Sequence, residues 1–301
     1  MLVSLQPEGT KEPLFCVHPG GGEVMCYYRL AQYLGTQRPF YGLQAPSLSE
    51  VGEGEDNYTT IEARAAAYLE ALRAVQPAGP YFLAGWSFGG VVAFEMAQQL
   101  QRAGEKVALL ALLDTVAPVL AIDLDEAESG KILAALAREH ASKTGRPFAL
   151  ATAELLDLEP EEQLRYVLDK LKAAEVVAAD IREEIALPWM SRMLKGYRSR
   201  GRAYQAYTPQ VYAGEITLFK ANINPGHLQD GAMKEITELF LDPTYCWGAL
   251  SSEPIRIEKV TGYHEILLAE PHVQTLAARL QVCLDESQSS TDPIYRSSRA
   301  G

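Results

Sequence analysis

Hydrophobic residues in the first third of the chain alternate between short continuous runs and longer stretches with helical spacing. The short runs predict buried strands at Leu14–His18, Pro39–Leu43, Tyr81–Ala84 and Val107–Leu113. The longer stretches predict helices at about Val24–Leu34, Ile61–Val75 and Val91–Arg102, the second of which follows a capping box at Thr59–Glu62. Strands that alternate with helices are typical of a parallel sheet with helices on both faces.

The pattern changes beyond Asp114, because residues 125–207 carry helical spacing and no strand signal. Helices are predicted there over 126–140, 160–177 and 188–204. Strand signals return at 215–220 and 254–260, and an amphipathic helix is predicted over 271–284. We therefore predict an α/β fold in which one domain, residues 1–285, is interrupted by a helical insertion at about 118–212. The serine-rich residues 286–301 are predicted to be disordered.

Composition narrows the classes of partner. Of the 301 residues, 48% are hydrophobic and 22% are charged, which is typical of a globular protein. The formal net charge of -12 argues against nucleic acid as a partner. No apolar run is long enough to span a bilayer, and the N-terminus lacks a secretory signal, so we expect a cytoplasmic protein with no membrane partner. The four cysteines lack metal-type spacing and are expected to be reduced, with no metal site.

The segment Gly85–Gly89 has the GxSxG pattern of a nucleophile elbow. The two glycines permit a sharp turn between a strand and a helix, which raises the serine hydroxyl above the sheet. A predicted strand precedes the segment and a predicted helix follows it, so Ser87 is the predicted nucleophile of an α/β-hydrolase fold. The alternative is an ordinary turn between a strand and a helix. A serine nucleophile also needs a base, an acid that orients the base, and oxyanion donors.

Asp114 is the predicted orienting acid, because it directly follows the next buried strand. The alternative role for Asp114 is a helix N-cap. Asp123 and Asp125 are weaker candidates for the acid.

His264 is the predicted base. It lies in a loop between the last predicted strand and the final helix, which gives the chain order Ser, Asp, His of this fold. His272 is the reserve candidate. His140 and His227 lie in the insertion and in a Pro-Gly loop, and His18 is expected to shape the glycine-rich loop beside it.

The oxyanion hole needs two backbone donors. The N–H of Phe88, directly after the nucleophile, is the first candidate. Gly20 or Gly21 is predicted to supply the second, because neither has a Cβ that would obstruct a close approach. The glycine run could instead bind phosphate, but it lacks the Lys-Ser/Thr of a nucleotide loop.

Together these residues resemble the thioesterase domains that end non-ribosomal peptide synthetases and polyketide synthases. The resemblance extends over nearly the whole chain and rests on Val17–Gly22, Tyr41–Pro46, Gly79–Gly90, Leu113–Thr115 and Gly262–Leu267. It implies that an acyl chain arrives as a thioester on the 4'-phosphopantetheine of an acyl or peptidyl carrier protein and is transferred to Ser87. Water, or an internal hydroxyl or amine, then releases it as an acid or a macrocycle. It also implies that the insertion is a lid and that the protein has no cofactor of its own.

Details of the resemblance favour some relatives over others. Trp86 and Phe88 around the serine are similar to the integrated terminal domains, whereas discrete editing thioesterases usually have His and Met there. Tyr263 departs from the pattern, because relatives often carry a small polar or acidic residue before the histidine. The chain begins just ahead of the first predicted strand, so we expect it to contain no carrier domain. The alternatives are a free-standing editing thioesterase, a small-ester hydrolase, or an inert binding module of the same fold.

A basic stretch stands out in the predicted lid. Residues 186–214 contain no acidic residue but include Arg192, Lys195, Arg198, Arg200 and Arg202. A solvated helix face would explain this stretch. Our hypothesis is that it steers an acidic carrier protein or its phosphate towards the lid.

Overall fold

A computed structural model describes residues 1–46, 58–119, 129–142, 144, 146–223 and 241–291. The described residues form two compact units, one of which consists of residues 129–142, 144 and 146–202, and the other of the remainder. The strands are β1 (Leu2–Gln6), β2 (Leu14–Val17), β3 (Phe40–Leu43), β4 (Tyr81–Trp86), β5 (Val107–Leu113), β6 (Thr217–Lys220) and β7 (Arg256–Lys259). The α-helices are α1 (Tyr28–Leu34), α2 (Ile61–Arg73), α3 (Phe88–Arg102), α4 (Ser129–Ser142), α5 (Pro160–Ala173), α6 (Glu183–Ala206) and α7 (His272–Thr291).

The seven strands form one sheet in the order β1-β3-β2-β4-β5-β6-β7. Every neighbouring pair is parallel except β1 with β3, so the predicted mostly parallel sheet is confirmed. Side chains of a strand alternate between its faces, and the two cores of this unit divide accordingly. Phe15 and Val17 of β2 pack in one core with α2 and α3, whereas Leu14 and Cys16 pack in the other with α1 and α7.

Strand β1 was not predicted from the sequence, and α7 ends later than predicted. The first strand is only half-buried and pairs at the sheet edge, so its sequence lacks a continuous apolar run. Helix α7 continues into the predicted disordered tail as far as Thr291. Several contacts involve this last part: Glu286 pairs with Arg256, Arg38 donates to Oε1 of Gln288 at 2.9 Å, and the Ser289 hydroxyl donates to the carbonyl of Asp285. Residues 292–301 lie outside the described residues.

Two helices begin elsewhere than predicted. The N-cap of α2 is Thr60, whose Oγ1 accepts a hydrogen bond from the N–H of Ala63 at 3.1 Å, so the cap lies one residue after the predicted Thr59. Helix α6 begins at Glu183 and contains Pro188, which was expected to open it. None of the helices within the described ranges is both long and apolar enough to cross a membrane.

The second unit is built from α4, α5 and most of α6, whose apolar side chains form a core of their own. It is smaller than the predicted insertion at 118–212, because residues 203–212 belong to the first unit. Tyr207 and Tyr212 are buried in the core of that unit. The Tyr207 hydroxyl also donates to Glu95 of α3 at 2.7 Å. Helical spacing continues across this boundary, so spacing alone could not locate it.

We predict that Gly89→Ala destabilises the first unit. A Cβ at this position would lie 2.3 Å from the carbonyl oxygen of Val17 and 2.5 Å from that of His18, so backbone would have to move. We expect the free energy of unfolding, measured by urea denaturation, to fall by about 1–3 kcal/mol. Gly21→Ala is the matched control, because a Cβ there meets no atom within 4 Å, and we expect a change below about 0.5 kcal/mol. Equal effects of the two variants would contradict the prediction.

Candidate active site

Ser87 lies at the turn between β4 and α3, as the sequence predicted. Its backbone has φ 57° and ψ -125°, a region that residues with a side chain rarely adopt. Two backbone hydrogen bonds hold the turn: the Ser87 N–H donates to the carbonyl of Leu113 at 3.1 Å, and the Gly90 N–H donates to the carbonyl of Ser87 at 3.0 Å. A Cβ on Gly85 would lie 2.2 Å from the carbonyl carbon of Gly89, so the strained turn depends on a glycine there.

Thr115 supports the elbow from below, and the sequence analysis gave it no role of its own. Its buried Oγ1 donates to the carbonyl oxygen of Ser87 at 3.1 Å. A Cβ on Gly90 would come within 2.1 Å of this hydroxyl, so a glycine in the first turn of α3 leaves room for the threonine. Thr115 therefore helps to fix the height of Ser87 above the sheet.

Asp114 follows β5 with φ 46° and is 2% exposed. Its carboxylate accepts three hydrogen bonds. The N–H of Ala221 and the hydroxyl of Tyr245 donate to Oδ1 at 2.8 and 3.2 Å, and Nδ1 of His264 donates to Oδ2 at 2.8 Å. These donors compensate for the burial of a charged group and point it at the histidine. The side chain thus does not serve as the alternative N-cap, and Asp123 and Asp125 lie outside the described residues.

Tyr245 is a member of the site that the sequence did not reveal. It is buried, and its pKa is raised well above its ordinary value, first by burial and then by the neighbouring charge of Asp114. The phenol therefore stays protonated and acts as a donor. The ammonium of Lys220 lies 4.0 Å from the centroid of its ring. No local pattern marks Tyr245, which contacts Asp114 across a separation of 131 residues.

His264 opens a short 3-10 turn after β7, and its side chain is 30% exposed. Its ring packs on Trp86, the residue before Ser87, with 5.3 Å between the ring centroids. The structure therefore joins Asp114 and His264 in one hydrogen-bonded pair and brings that pair against the elbow. Because Nδ1 donates to the carboxylate, Nε2 of the neutral ring is an acceptor.

The other histidines take different positions. His272 lies at the start of α7, where Nδ1 is 3.2 Å from Oγ1 of Thr261. His140 is exposed on α4, and His227 lies outside the described residues. His18 is fully buried at the end of β2. None of the three that the structure describes shows a hydrogen bond to Asp114, so His264 is the histidine of this pair.

The glycine-rich loop after β2 forms a turn in which the Gly22 N–H donates to the carbonyl of Pro19 at 2.9 Å. The same carbonyl accepts from Nδ1 of His18 at 2.7 Å. Gly20 is buried and Gly21 is half-buried. The loop adjoins the elbow, since Gly89 lies against the carbonyl oxygens of Val17 and His18. The first turn of α3, which begins at Phe88, therefore comes close to this loop.

The five basic residues of the predicted docking stretch all lie on α6, but in different environments. Arg192, Lys195 and Arg202 are exposed, and Arg198 is half-buried. Arg200 is only 5% exposed, and its guanidinium packs at the position where Gly196 lacks a side chain. Arg200 is therefore not available to a docking partner.

The thioesterase domain family matches residues 12–282. A dimodular nonribosomal peptide synthase of Bacillus subtilis (strain 168) is 49% identical over 114 residues, which are 38% of this chain and 5% of that synthase. A solved four-domain nonribosomal peptide synthetase bound to AMP and glycine has a TM-score of 0.77 and 27% identity, over 93% of this chain and 20% of that one.

A covalent complex of the NocB thioesterase domain with a fluorophosphonate nocardicin G analog aligns with a TM-score of 0.62 and 26% identity, over 94% of this chain and 99% of that one. The chain thus spans only a small part of the synthetases and nearly all of an isolated thioesterase domain. The sheet and these neighbours confirm the predicted α/β-hydrolase fold. Because the family match covers most of its length, the chain belongs to the thioesterase domain family.

Proposed function

We propose that this chain releases an acyl group from a carrier-bound thioester through an acyl-enzyme on Ser87. Membership of the thioesterase family implies hydrolase activity. The observation that carries the proposal is the strained elbow at Ser87. The ring of Trp86, the residue before Ser87, packs on His264, which is hydrogen-bonded to Asp114. A serine at such a turn beside a histidine with an oriented carboxylate has the parts that covalent acyl transfer requires.

In the first half-reaction, Nε2 of His264 removes the proton of the Ser87 hydroxyl, and Oγ attacks the thioester carbonyl. The tetrahedral intermediate collapses when the C–S bond breaks, and the imidazolium returns the proton to the leaving thiolate. Asp114 keeps the Nδ1–H tautomer in place and stabilises the imidazolium that forms in between. In the second half-reaction, His264 deprotonates water or an internal nucleophile, which attacks the acyl-enzyme. The C–Oγ bond to Ser87 then breaks, and the imidazolium returns the proton to Oγ.

The oxyanion is proposed to be bound by the N–H groups of Phe88 and Gly20. A trans peptide is planar, so the N–H of Gly20 points opposite to the carbonyl of Pro19. Two donors, Nδ1 of His18 and the Gly22 N–H, fix the direction of that carbonyl. This fixes the direction of the Gly20 N–H as well. The geometry thus favours Gly20 of the two glycines that the sequence left open.

The carrier and its arm are proposed from the relatives, which are multidomain synthetases. The acyl group would arrive on a phosphopantetheine thiol, and no cofactor of the chain's own enters the steps above.

The second unit is proposed to be the lid. It contains an apolar cavity of about 450 Å³ between its helices, lined in part by Leu136, Val167, Ile185 and Trp189, with Arg192 at its edge.

We predict that Ser87→Ala abolishes the acyl-enzyme. Incubation of the wild-type chain with an acyl thioester should add the mass of the acyl group, detected by intact mass spectrometry, because Oγ is the only proposed acceptor. Ser289→Ala, which removes an exposed hydroxyl of α7, is the matched control and should label fully. Labelling of Ser87→Ala would contradict the mechanism. The released product, an acid or a ring, is identified in the same experiment.

Tyr245→Phe is predicted to slow both half-reactions. The variant removes one of three donors to Asp114, and we expect kcat to fall about 10- to 150-fold with little change in KM, since a hydrogen bond to a charged group contributes about 1.5–3 kcal/mol. Tyr33→Phe removes an exposed hydroxyl that donates to Glu270 rather than to Asp114, and it serves as control. Asp114→Asn should lose about 10⁴-fold in kcat. If Tyr245→Phe retained full activity, Tyr245 would have no part in orienting Asp114.

Charge reversal on the exposed face of α6 tests carrier docking. Arg192→Glu/Lys195→Glu should raise the KM for an acyl group on an acidic carrier protein about tenfold at low salt, through lost electrostatic steering. The difference should shrink at high ionic strength. Lys106→Glu/Lys259→Glu, which reverses two exposed charges of the first unit, controls for net charge. A loss of the same size with a small acyl thioester would refute the docking role.

A further inference from the structure

His18 is a fully buried histidine that the steps above do not use. Its Nδ1 is 2.7 Å from the carbonyl oxygen of Pro19, and its Nε2 is 2.7 Å from the hydroxyl of Tyr68. A carbonyl oxygen can only accept, so Nδ1 carries a proton. In the neutral ring Nε2 then accepts from the phenol. The two contacts therefore select one tautomer and one ring orientation.

Tyr68, on α2, is itself held in place by packing. It is fully buried, and its ring meets those of His18 and Tyr58 edge-on, at centroid distances of 5.7 and 6.3 Å. Its hydroxyl thus contacts Nε2 of His18 from α2, a helix that packs on one face of the sheet. A buried tyrosine on a helix is a more precise support than a side chain on a loop would be.

The ring of His18 touches both segments that carry the proposed oxyanion donors. Through Nδ1 it fixes the Pro19 carbonyl and hence the direction of the Gly20 N–H in the same peptide. Through its face it stacks on the ring of Phe88, with 5.9 Å between the centroids and 22° between the planes. Phe88 supplies the other donor from its backbone, so one imidazole sets the distance between the two segments.

We propose that His18, held by Tyr68, is a positioning residue that fixes the direction and spacing of both oxyanion donors. This inference rests on the proposed function and deepens it. The substrate gains negative charge on its carbonyl oxygen only in the tetrahedral state, so misplaced donors lower kcat and leave substrate binding nearly intact. If His18 only filled the core, its substitution would lower the free energy of unfolding rather than kcat.

Two substitutions separate the nitrogens of His18. The amide nitrogen of Asn can replace Nδ1 and still donate to Pro19, whereas the longer Gln places its amide near Nε2 and leaves Pro19 without this donor. We expect His18→Gln to lower kcat about 100-fold, the cost of a donor misplaced by about 1 Å, with KM changed less than about twofold. His18→Asn should recover at least about tenfold of that loss. Tyr68→Phe removes only a hydroxyl and should lower kcat by an intermediate factor.

A trifluoromethyl ketone analogue of the acyl group gives a second readout. Ser87 Oγ adds to its carbonyl, His264 takes the hydroxyl proton, and the resulting oxyanion occupies the donor site without turnover. Its inhibition constant should rise across His18→Asn, Tyr68→Phe and His18→Gln in proportion to the loss in kcat, whatever the melting temperatures do. Tyr68→Phe, the mildest change, keeps the test usable should a His18 variant not fold.

The results distinguish a failure of the role of His18 from a failure of the proposed function. An unchanged inhibition constant, equal kcat for the Asn and Gln variants, or a loss that appears in KM alone would overturn the role of His18 and leave the proposed function standing. If the wild-type chain formed no adduct at Ser87, the proposed function would fall, and the role of His18 with it.

Discussion

The site depends on a close approach of backbone segments that leaves no room for side chains. Gly85 and Gly89 face each other across the elbow, and Gly89 also lies against the carbonyl oxygens at the end of β2. A Cβ at Gly85 or Gly89 would separate β4, α3 and the loop after β2 from one another. Because both are glycines, the three segments converge at the carboxyl edge of the sheet, and the strained backbone of Ser87 follows from that convergence.

Where the strand ends come together, backbone N–H and C=O groups are buried without a hydrogen-bond partner in the sheet. Side chains of aromatic residues that are distant in sequence form hydrogen bonds with these groups. The hydroxyl of Tyr27 donates to the carbonyl of Val17 at 2.6 Å and accepts from the N–H of Trp86 at 2.9 Å, which joins the ends of β2 and β4. Nε1 of Trp247 donates to the carbonyl of Thr115 at 2.7 Å. A buried group left without such a partner would cost about 1–3 kcal/mol, so these contacts determine which arrangement of the strand ends is stable.

The site residues that could be predicted from the sequence are those that directly follow a strand with a continuous apolar run. Ser87 and Asp114 each follow an apolar run directly, and the pairing of Asp114 with His264 agrees with the chain order of the fold. Tyr245 and Tyr68 could not be found in this way, because their roles arise from the packing of distant segments. The edge strand β1 and the last turns of α7 escaped for another reason: contacts at the surface hold them, and composition does not record such contacts.

Both halves of the site contain a buried tyrosine whose hydroxyl orients the side chain that it contacts. Tyr245 donates to Asp114, and Tyr68 donates to His18 beside the proposed oxyanion donors. Both are neutral donors. A cation in the place of Tyr245 would neutralise the carboxylate and weaken its hold on the imidazolium that forms at His264. The ammonium of Lys220 lies over the Tyr245 ring and donates to the carbonyl of Asp242. Orientation without added charge leaves the full negative charge of Asp114 to act on His264, which explains why a phenol, rather than a basic side chain, occupies the position of Tyr245.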